Sequence, residues 1–387
     1  MLSVAVNSGA DAVYFGIDKL NMRAKAKNFI VSDLPEIVQF CHDNKVKAYL
    51  TLNTIIFEEE LSQLDEVLWK AKEAGIDMII CWDMSAVSKC KYLGLPVCIS
   101  TQASVSNSVS ANFFKDAGAK RIVLARECSL EEIKKIRAGT DIEIEVFVHG
   151  AMCIAISGRC FMSHHLFGKS ANRGECIQPC RREYEVKDNQ TGQAMIMGED
   201  YVLSPKDLCS VEYTDRLIEA GIDSFKIEGR KRSPEYVAKT VSVYRRAIDL
   251  CFENGLTDEI KKRMLEELGR VYNRGFSSGF YFDTPSAEEY AGIYGNRAVT
   301  RKEYVGRVIN YFKKTGIAHI KLETCGIRSG DELLIIGQST GVTEFSPGEM
   351  MNNGLSVTEA VKGDEVTFVC HGIVRPKDMV YRIRTIE

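Results

Sequence analysis

The chain has 387 residues, 45% of them hydrophobic and 27% charged, with a formal net charge of −3. That make-up describes a folded globular protein long enough for two domains, and excludes a disordered chain, a collagen-like repeat and a protein that is basic throughout. No apolar run reaches the roughly 18 residues of a membrane span and no charged-then-apolar leader opens the chain, so the expected setting is the cytoplasm, where structural disulfides are rare.

The opening segment, LSVAVNSGA, reads as a helix with no strand ahead of it. From residue 11 to about 150, β-branched apolar runs alternate with amphipathic helical stretches at intervals of about 25 to 30 residues, the spacing of βα units. The runs are DAVYFG (11 to 16), VKAYLTLN (46 to 53), DMIICW (77 to 82), VCISTQ (97 to 102), RIVLAR (121 to 126) and IEVFVHG (144 to 150), and a seventh, SFKIEGR (224 to 230), follows a long insertion. Helix starts are marked between them, as where Ser129 precedes LEEIKKI with Glu132 at the capping-box position.

Near-continuous apolar strands alternating with helices imply a parallel sheet covered on both faces. The runs end in Gly16, Asn53, Asp83, Gln102, Arg126 with Glu127, His149, and Glu228 with Arg230. Functional side chains at the carboxyl ends of successive strands suit a TIM-like (β/α) barrel. A doubly wound fold would offer a glycine-rich phosphate turn after its first strand, and none is present. The expected fold is therefore α/β, a TIM-like barrel lacking its first strand, with an uncovered edge beside residues 11 to 16 and 224 to 230. The barrel spans 1 to 232 and includes a Cys-rich insertion at 151 to 223, in which EYEVKDNQTGQAMIM reads as a hairpin ahead of YVLSPKDLCS. Residues 233 to 300 read as a helical connector that starts at Ser233 and Pro234. Beyond 301, EYVGRVINYF, IAHIKLE, GDELLIIG, DEVTFVC and MVYRIRT alternate as strands of a small all-β barrel.

The insertion carries the strongest chemical signal. Nine of the 13 cysteines are scattered singly through strands and helices, where a thiol behaves as a small hydrophobe. The other four, Cys153, Cys160, Cys176 and Cys180, fall in one stretch with six, fifteen and three residues between them. Zinc sites favour paired Cys-x2-4-Cys knuckles, which only Cys176 and Cys180 satisfy. Iron-sulfur clusters accept irregular four-cysteine spacing, so they rank ahead of zinc here.

Barrel position makes His149, Gln102, Asn53, Glu228 and Arg230 the catalytic candidates. Lys206 and Asp207 could orient a substrate. Arg126, Lys226 and Arg230 could pair with a dianionic acid, and Arg173, Arg181 and Arg182 could place RNA phosphates beside the cysteines. His164 and His165 read as solvent- or RNA-facing.

The segment EVFVHGAMCIAISGRCFMS, ahead of NRGECIQPCR, closely resembles the signature of peptidase family U32, the collagenase-like proteins. GADAVYFG, SPKDLC and FKIEGR stand where that family has them, so the resemblance runs from about residue 1 to 300. The C-terminal part is similar to the translation-factor-like barrel appended in one branch. Family members usually begin with a short strand of the ELLAPAG type ahead of a helix like LSVAVNSGA, in line with the strand count.

The family name implies proteolysis, whereas its better-understood members are oxygen-independent hydroxylation proteins. These act on tRNA wobble uridine, ribosomal RNA cytidine or the ubiquinone ring, and carry a cysteine-bound 4Fe-4S cluster. The tRNA branch is similar to this chain in NRGECIQPCR and in the added β-domain, and it draws on prephenate. The resemblance thus implies a 4Fe-4S cluster on Cys153, Cys160, Cys176 and Cys180, with Cys209 in reserve for Cys180. It also implies tRNA and a small dianionic metabolite as partners, with a second protein of the same family as a further candidate. The alternative is a peptidase with Cys153 or Ser157 as nucleophile and His149 as base; no HExxH helix supports it.

Overall fold

The computed structural model describes residues 1–22, 28–182, 184–187, 189–192, 194–196, 203–229, 232–285, 290–291 and 295–386. The first six apolar runs form β1 (Ala12–Phe15), β2 (Lys47–Thr51), β3 (Met78–Cys81), β4 (Val97–Ile99), β5 (Ala119–Val123) and β6 (Glu143–Ala151). The insertion contributes the hairpin β7 (Glu185–Lys187) and β8 (Ala194–Ile196), then β9 (Asp207–Cys209). The seventh run is β10 (Ser224–Ile227), and β11 (Phe276–Ser277) follows later.

Strands β1 to β6 pair in sequence order, all parallel, and β10 adds parallel to β6. Every residue of β3 and β4 is buried, as a sheet covered on both faces requires. The helices on this sheet are α1 (Leu2–Asn7), α2 (Leu34–Asp43), α3 (Leu61–Ala74), α4 (Met84–Leu93), α5 (Ser108–Asp116) and α6 (Leu130–Ala138). The starts of α4, α5 and α6 are capped by side chains: Asp83 accepts from Ser85 N at 2.9 Å and Asn107 from Ser110 N at 2.8 Å. Ser129 and Glu132 complete the capping box in both directions.

The parallel run curls until its two ends meet. Tyr14 on β1 donates its hydroxyl to Ile227 O on β10 at 3.1 Å, and Lys226 Nζ stands 4.5 Å from the centre of the Tyr14 ring. Among the described residues no strand ladder joins β1 to β10, so the hydrogen-bonded sheet is not a closed barrel; side chains bridge the seam. The sheet instead extends elsewhere. The last residues of the nine-residue β6 pair antiparallel with β9, which pairs in turn with β11. Neither addition was legible in the sequence, because strands of three and two residues are too short to show alternation.

After α7 (Met162–Phe167) in the insertion and α8 (Thr214–Glu219), the segment read as a connector forms α9 (Pro234–Phe252) and α10 (Asp258–Gly269). Both helices share the core of the parallel sheet through Val243, Tyr244, Ala247, Met264 and Leu268.

The C-terminal domain comprises β12 (Thr300–Phe312), β13 (Ile317–Leu322), β14 (Ile327–Arg328), β15 (Leu333–Gly337), β16 (Gly341–Phe345), β17 (Met350–Asn352), β18 (Leu355–Val357), β19 (Glu359–Ala360), β20 (Glu365–Val369) and β21 (Met379–Thr385). Eight of these strands form an antiparallel sheet in the order β16-β15-β21-β12-β13-β20-β17-β18 around its own core. Burial along β13 alternates residue by residue, the signature of a sheet with one wet face. The domain docks on α1 and α9: Val342 packs with Val4, Tyr236 and Val237, and Lys239 pairs with Glu344 at 2.8 Å.

Candidate functional site

Inside the curled sheet the charged side chains satisfy one another. Lys226 and Glu145 are both nearly excluded from water and pair at 2.7 Å, and Arg121 reaches the other oxygen of Glu145 at 3.0 Å. Burial alone would raise the Glu145 pKa, but Lys226 and Arg121 outweigh it and hold it below the usual carboxylate range. Lys226, expected to receive an anionic metabolite, is therefore already neutralised within the protein.

His149, one level nearer the strand ends, is 1% exposed. The rings of Tyr236, Tyr244 and Phe276 surround it at 5.6 to 5.8 Å, with the Tyr244 hydroxyl 3.5 Å from Nδ1. Burial, reinforced by Arg232, lowers its pKa to about 3, so the imidazole is neutral at physiological pH. Cys209 lies opposite on β9 with the Tyr244 hydroxyl 3.9 Å away, and burial pushes its thiol up to about 12. These are the properties of a packed thiol.

Other candidates at the strand ends are also engaged. Asn53 Oδ1 accepts from Met22 N at 3.2 Å, and Gln102 Oε1 accepts from the Ser100 hydroxyl. Glu228 faces the Tyr14 hydroxyl at 3.4 Å. Arg126 donates to Ala151 O at 2.9 Å and stacks on Phe147 at 4.0 Å. Asp207, expected to orient a substrate, is buried between Arg274 and Arg232 at 3.0 and 3.1 Å. Lys206 is half-buried beside Gly275. Arg230 lies outside the described residues. Gly150 allows β6 to pass Glu228 closely: its φ is +117°, and a Cβ there would stand 2.8 Å from that of Glu228.

The Cys-rich insertion folds over these strand ends and is fastened at several points. Thr54 donates to Asn172 O at 3.0 Å. Arg173 forms a forked ion pair with Glu60, one branch at 2.9 Å, and stacks on Phe57 at 4.9 Å. Arg181 donates to Met152 O and Ser204 Oγ, each at 2.7 Å, and to Pro205 O at 2.8 Å. Arg173 and Arg181, expected on RNA phosphates, are thus anchors of the insertion: their donors point inward because the loop's carbonyls and a distant carboxylate need them. Arg182 is exposed, and it stacks on Phe167 at 4.8 Å.

Sequence reasoning missed a further fastening. Ser104 and Ser157 both adopt left-handed backbone with φ of 53° and 46°, and their hydroxyls meet at 2.9 Å. Ser157 N also donates to Glu127 Oε1 at 2.9 Å. Serine has no strong left-handed preference, so nothing local announces this geometry; such strain persists where surrounding contacts impose it.

The four clustered cysteines are all half-buried, whereas seven of the nine scattered ones are buried. They lie near one another: Cys180 is raised in pKa chiefly by burial, Arg181 opposes this, and Cys153, Cys176 and Cys160 each add to the rise. Two of the sulfurs receive backbone donors, Met162 N to Cys160 Sγ at 3.3 Å and Gln178 N to Cys176 Sγ at 3.4 Å. Hydrogen bonds of this kind stabilise thiolate ligands and tune cluster potentials. Among the described residues, no three or more His, Cys, Asp and Glu side chains are arranged to hold a metal ion. The fit to a thiolate-bound group is one of donor chemistry and proximity, not of closed coordination distances. His164 and His165 point to solvent on α7.

Residues 1–291 match the model of peptidase family U32, and the chain belongs to that family. It is 42% identical to an uncharacterised protease of Methanocaldococcus jannaschii over 392 residues, covering 99% of this chain and 95% of that protein. It is 38% identical to a protein named collagenase from Porphyromonas gingivalis, covering 98% and 94%. It is also 38% identical to tRNA hydroxylation protein P1 of Bacillus subtilis, covering 87% and 81%. No helix among the described residues is long and apolar enough to cross a membrane.

Proposed function

We propose that this protein is an iron-sulfur-dependent RNA-modifying enzyme that hydroxylates a pyrimidine without molecular oxygen. The reading takes tRNA wobble uridine as the first substrate, prephenate as the linked dianionic metabolite, and a TIM-like barrel in the cytoplasm as the working form. The observation that carries it is the seating of the four-cysteine insertion, whose residues 153 to 182 are basic, on the carboxyl ends of the parallel strands, where barrel enzymes hold their substrates. The similarity to a tRNA hydroxylation protein over most of both chains supports RNA as the substrate class. A ribosomal RNA cytidine or a quinone precursor is the alternative substrate.

Cys153, Cys160, Cys176 and Cys180 would hold a 4Fe-4S cluster, which supplies one-electron redox chemistry when bound. Arg173 and Arg181 position the loops that carry these cysteines. Lys206 and Arg182 remain for anionic groups of substrate or metabolite. A base must leave its stack for C5 to be reached, and the strand ends are where a flipped base would be received.

The peptidase reading rests on the similarity to the protein named collagenase. Of its reacting groups, the Ser157 hydroxyl is paired with Ser104 and the His149 imidazole is sealed among aromatic rings.

Anaerobic purification should yield about four irons and four sulfides per chain and a broad band near about 400 nm, all lost in Cys176→Ala. tRNA from a deletion strain should lack the 5-hydroxyuridine family of nucleosides, and the wild-type gene but not Cys176→Ala should restore it. Zinc in place of iron, or a metal-free chain that cleaves gelatin, would refute the redox reading.

A further inference from the structure

The outward side of the insertion has a composition unlike the rest of the surface. Five large apolar side chains between residues 154 and 167 are exposed: Ile154, Ile156, Phe161, Leu166 and Phe167, with Phe161 at 75% and Ile156 at 69%. Of the six residues of α7 only Ser163 is buried. Contiguous exposed apolar surface on a soluble protein marks a binding face more often than chance.

The charge around this patch selects the partner. Residues 153 to 182 carry five Lys and Arg against one carboxylate, Glu175, in a chain whose net charge is −3. Arg173 is matched by Glu60, and Lys169 lies 3.9 Å from Glu175. Neither Arg159 nor Arg182 forms an ion pair among the described residues; Arg159 donates to Ser104 Oγ at 3.2 Å, and the Arg182 guanidinium stands 4.8 Å from the centre of the Phe167 ring. A protein partner would be met by an apolar patch rimmed with mixed charge. Bare aromatic rings interleaved with uncompensated arginines suit a polyanion with exposed base faces. The protruding rings cannot enter the narrow major groove of an RNA duplex, so the fit is to unpaired bases.

We propose that Phe161 and the Phe167–Arg182 stack form a platform on which unpaired bases of single-stranded RNA lie, with Arg159 meeting the backbone. The platform borders the clustered cysteines and would hold the nucleotides flanking the one that enters the site. This rests on the RNA reading above but concerns binding alone.

The test uses the full chain purified anaerobically and fluorescence anisotropy with a labelled oligouridine of about 12 nucleotides, within the span that single-strand sites cover. A blunt RNA duplex of the same length serves as competitor. The oligouridine should bind more tightly than the duplex. Phe161→Ala and Arg182→Ala should each weaken binding about tenfold, the effect of losing one stacked base, with iron content and circular dichroism unchanged. Phe161→Tyr should bind like the wild type and Phe161→Leu like the alanine variant, because stacking needs a ring and not merely apolar area. Absence of oligouridine binding, equal affinity in Phe161→Ala, or preference for the duplex would overturn the platform and assign the patch to a protein partner. Unchanged tRNA hydroxylation in the deletion strain, with anisotropy intact, would remove the chemistry and leave the platform standing.

Discussion

The interior of the curled sheet and the insertion over its rim use the same residue types for different ends. Inside, Glu145 is paired with both Lys226 and Arg121, and His149 is sealed among three aromatic rings. On the rim, four thiols are half-buried, Arg159 and Arg182 form no ion pair among the described residues, and aromatic rings face water. Buried charge is tolerated only when paired, so the interior charges are committed to architecture. Irregular backbone at the surface can leave donors and thiols available, which is where this protein concentrates them.

The contrast breaks most clearly at Lys226. Lys226→Met strands the Glu145 carboxylate with half its compensation and should cost about 3 kcal/mol by urea denaturation. Glu145→Leu combined with Lys226→Met should recover much of that loss, since apolar replacement of a whole buried pair is often neutral. A double variant as unstable as the single one would mean that the pair has a role beyond mutual neutralisation.

Acid should separate the two regions next. His149 titrates near 6.5 when exposed and at about 3 in the folded chain. Below about pH 6.5 the unfolded chain takes up a proton that the folded one refuses. The stability is therefore complete above that pH and falls as pH drops toward 3, at about 1.4 kcal/mol per unit from this group. Urea midpoints at pH 7 and pH 5 should differ by less in His149→Phe than in the wild type. An equal difference in both would place the imidazole in contact with solvent.

The smallest effect belongs to a site remote from both regions. Ser129→Ala removes one half of the α6 capping box and should cost about 1 kcal/mol, without changing iron content or RNA affinity. Any change in either would show that α6 communicates with the rim.

Much of this organisation can be read locally. Runs such as MIIC and VCIS announce buried parallel strands, Ser129 and Glu132 announce a helix start, and IAHIKL announces a sheet with a wet face. Strand β9 escaped because three residues following a proline carry no readable period. The clustering of Cys153, Cys160, Cys176 and Cys180 is visible in their spacing, as is the basic bias of the segment that carries them.

What local pattern could not supply is which polar residues are free to act. Arg173 and Arg182 look alike in sequence, yet one is held by Glu60, 113 residues away, and the other lies open over Phe167. Lys226 and Asp207 stand where substrate contacts would be expected, and each is instead neutralised by partners between 25 and 81 residues distant. By itself the sequence determined the strands of the parallel run, the order of the βα units and the grouping of the thiols, because periodicity and spacing are properties of neighbouring residues. Only the tertiary structure decided which charges are occupied, because a buried charge takes its partner from whatever segment the fold brings beside it.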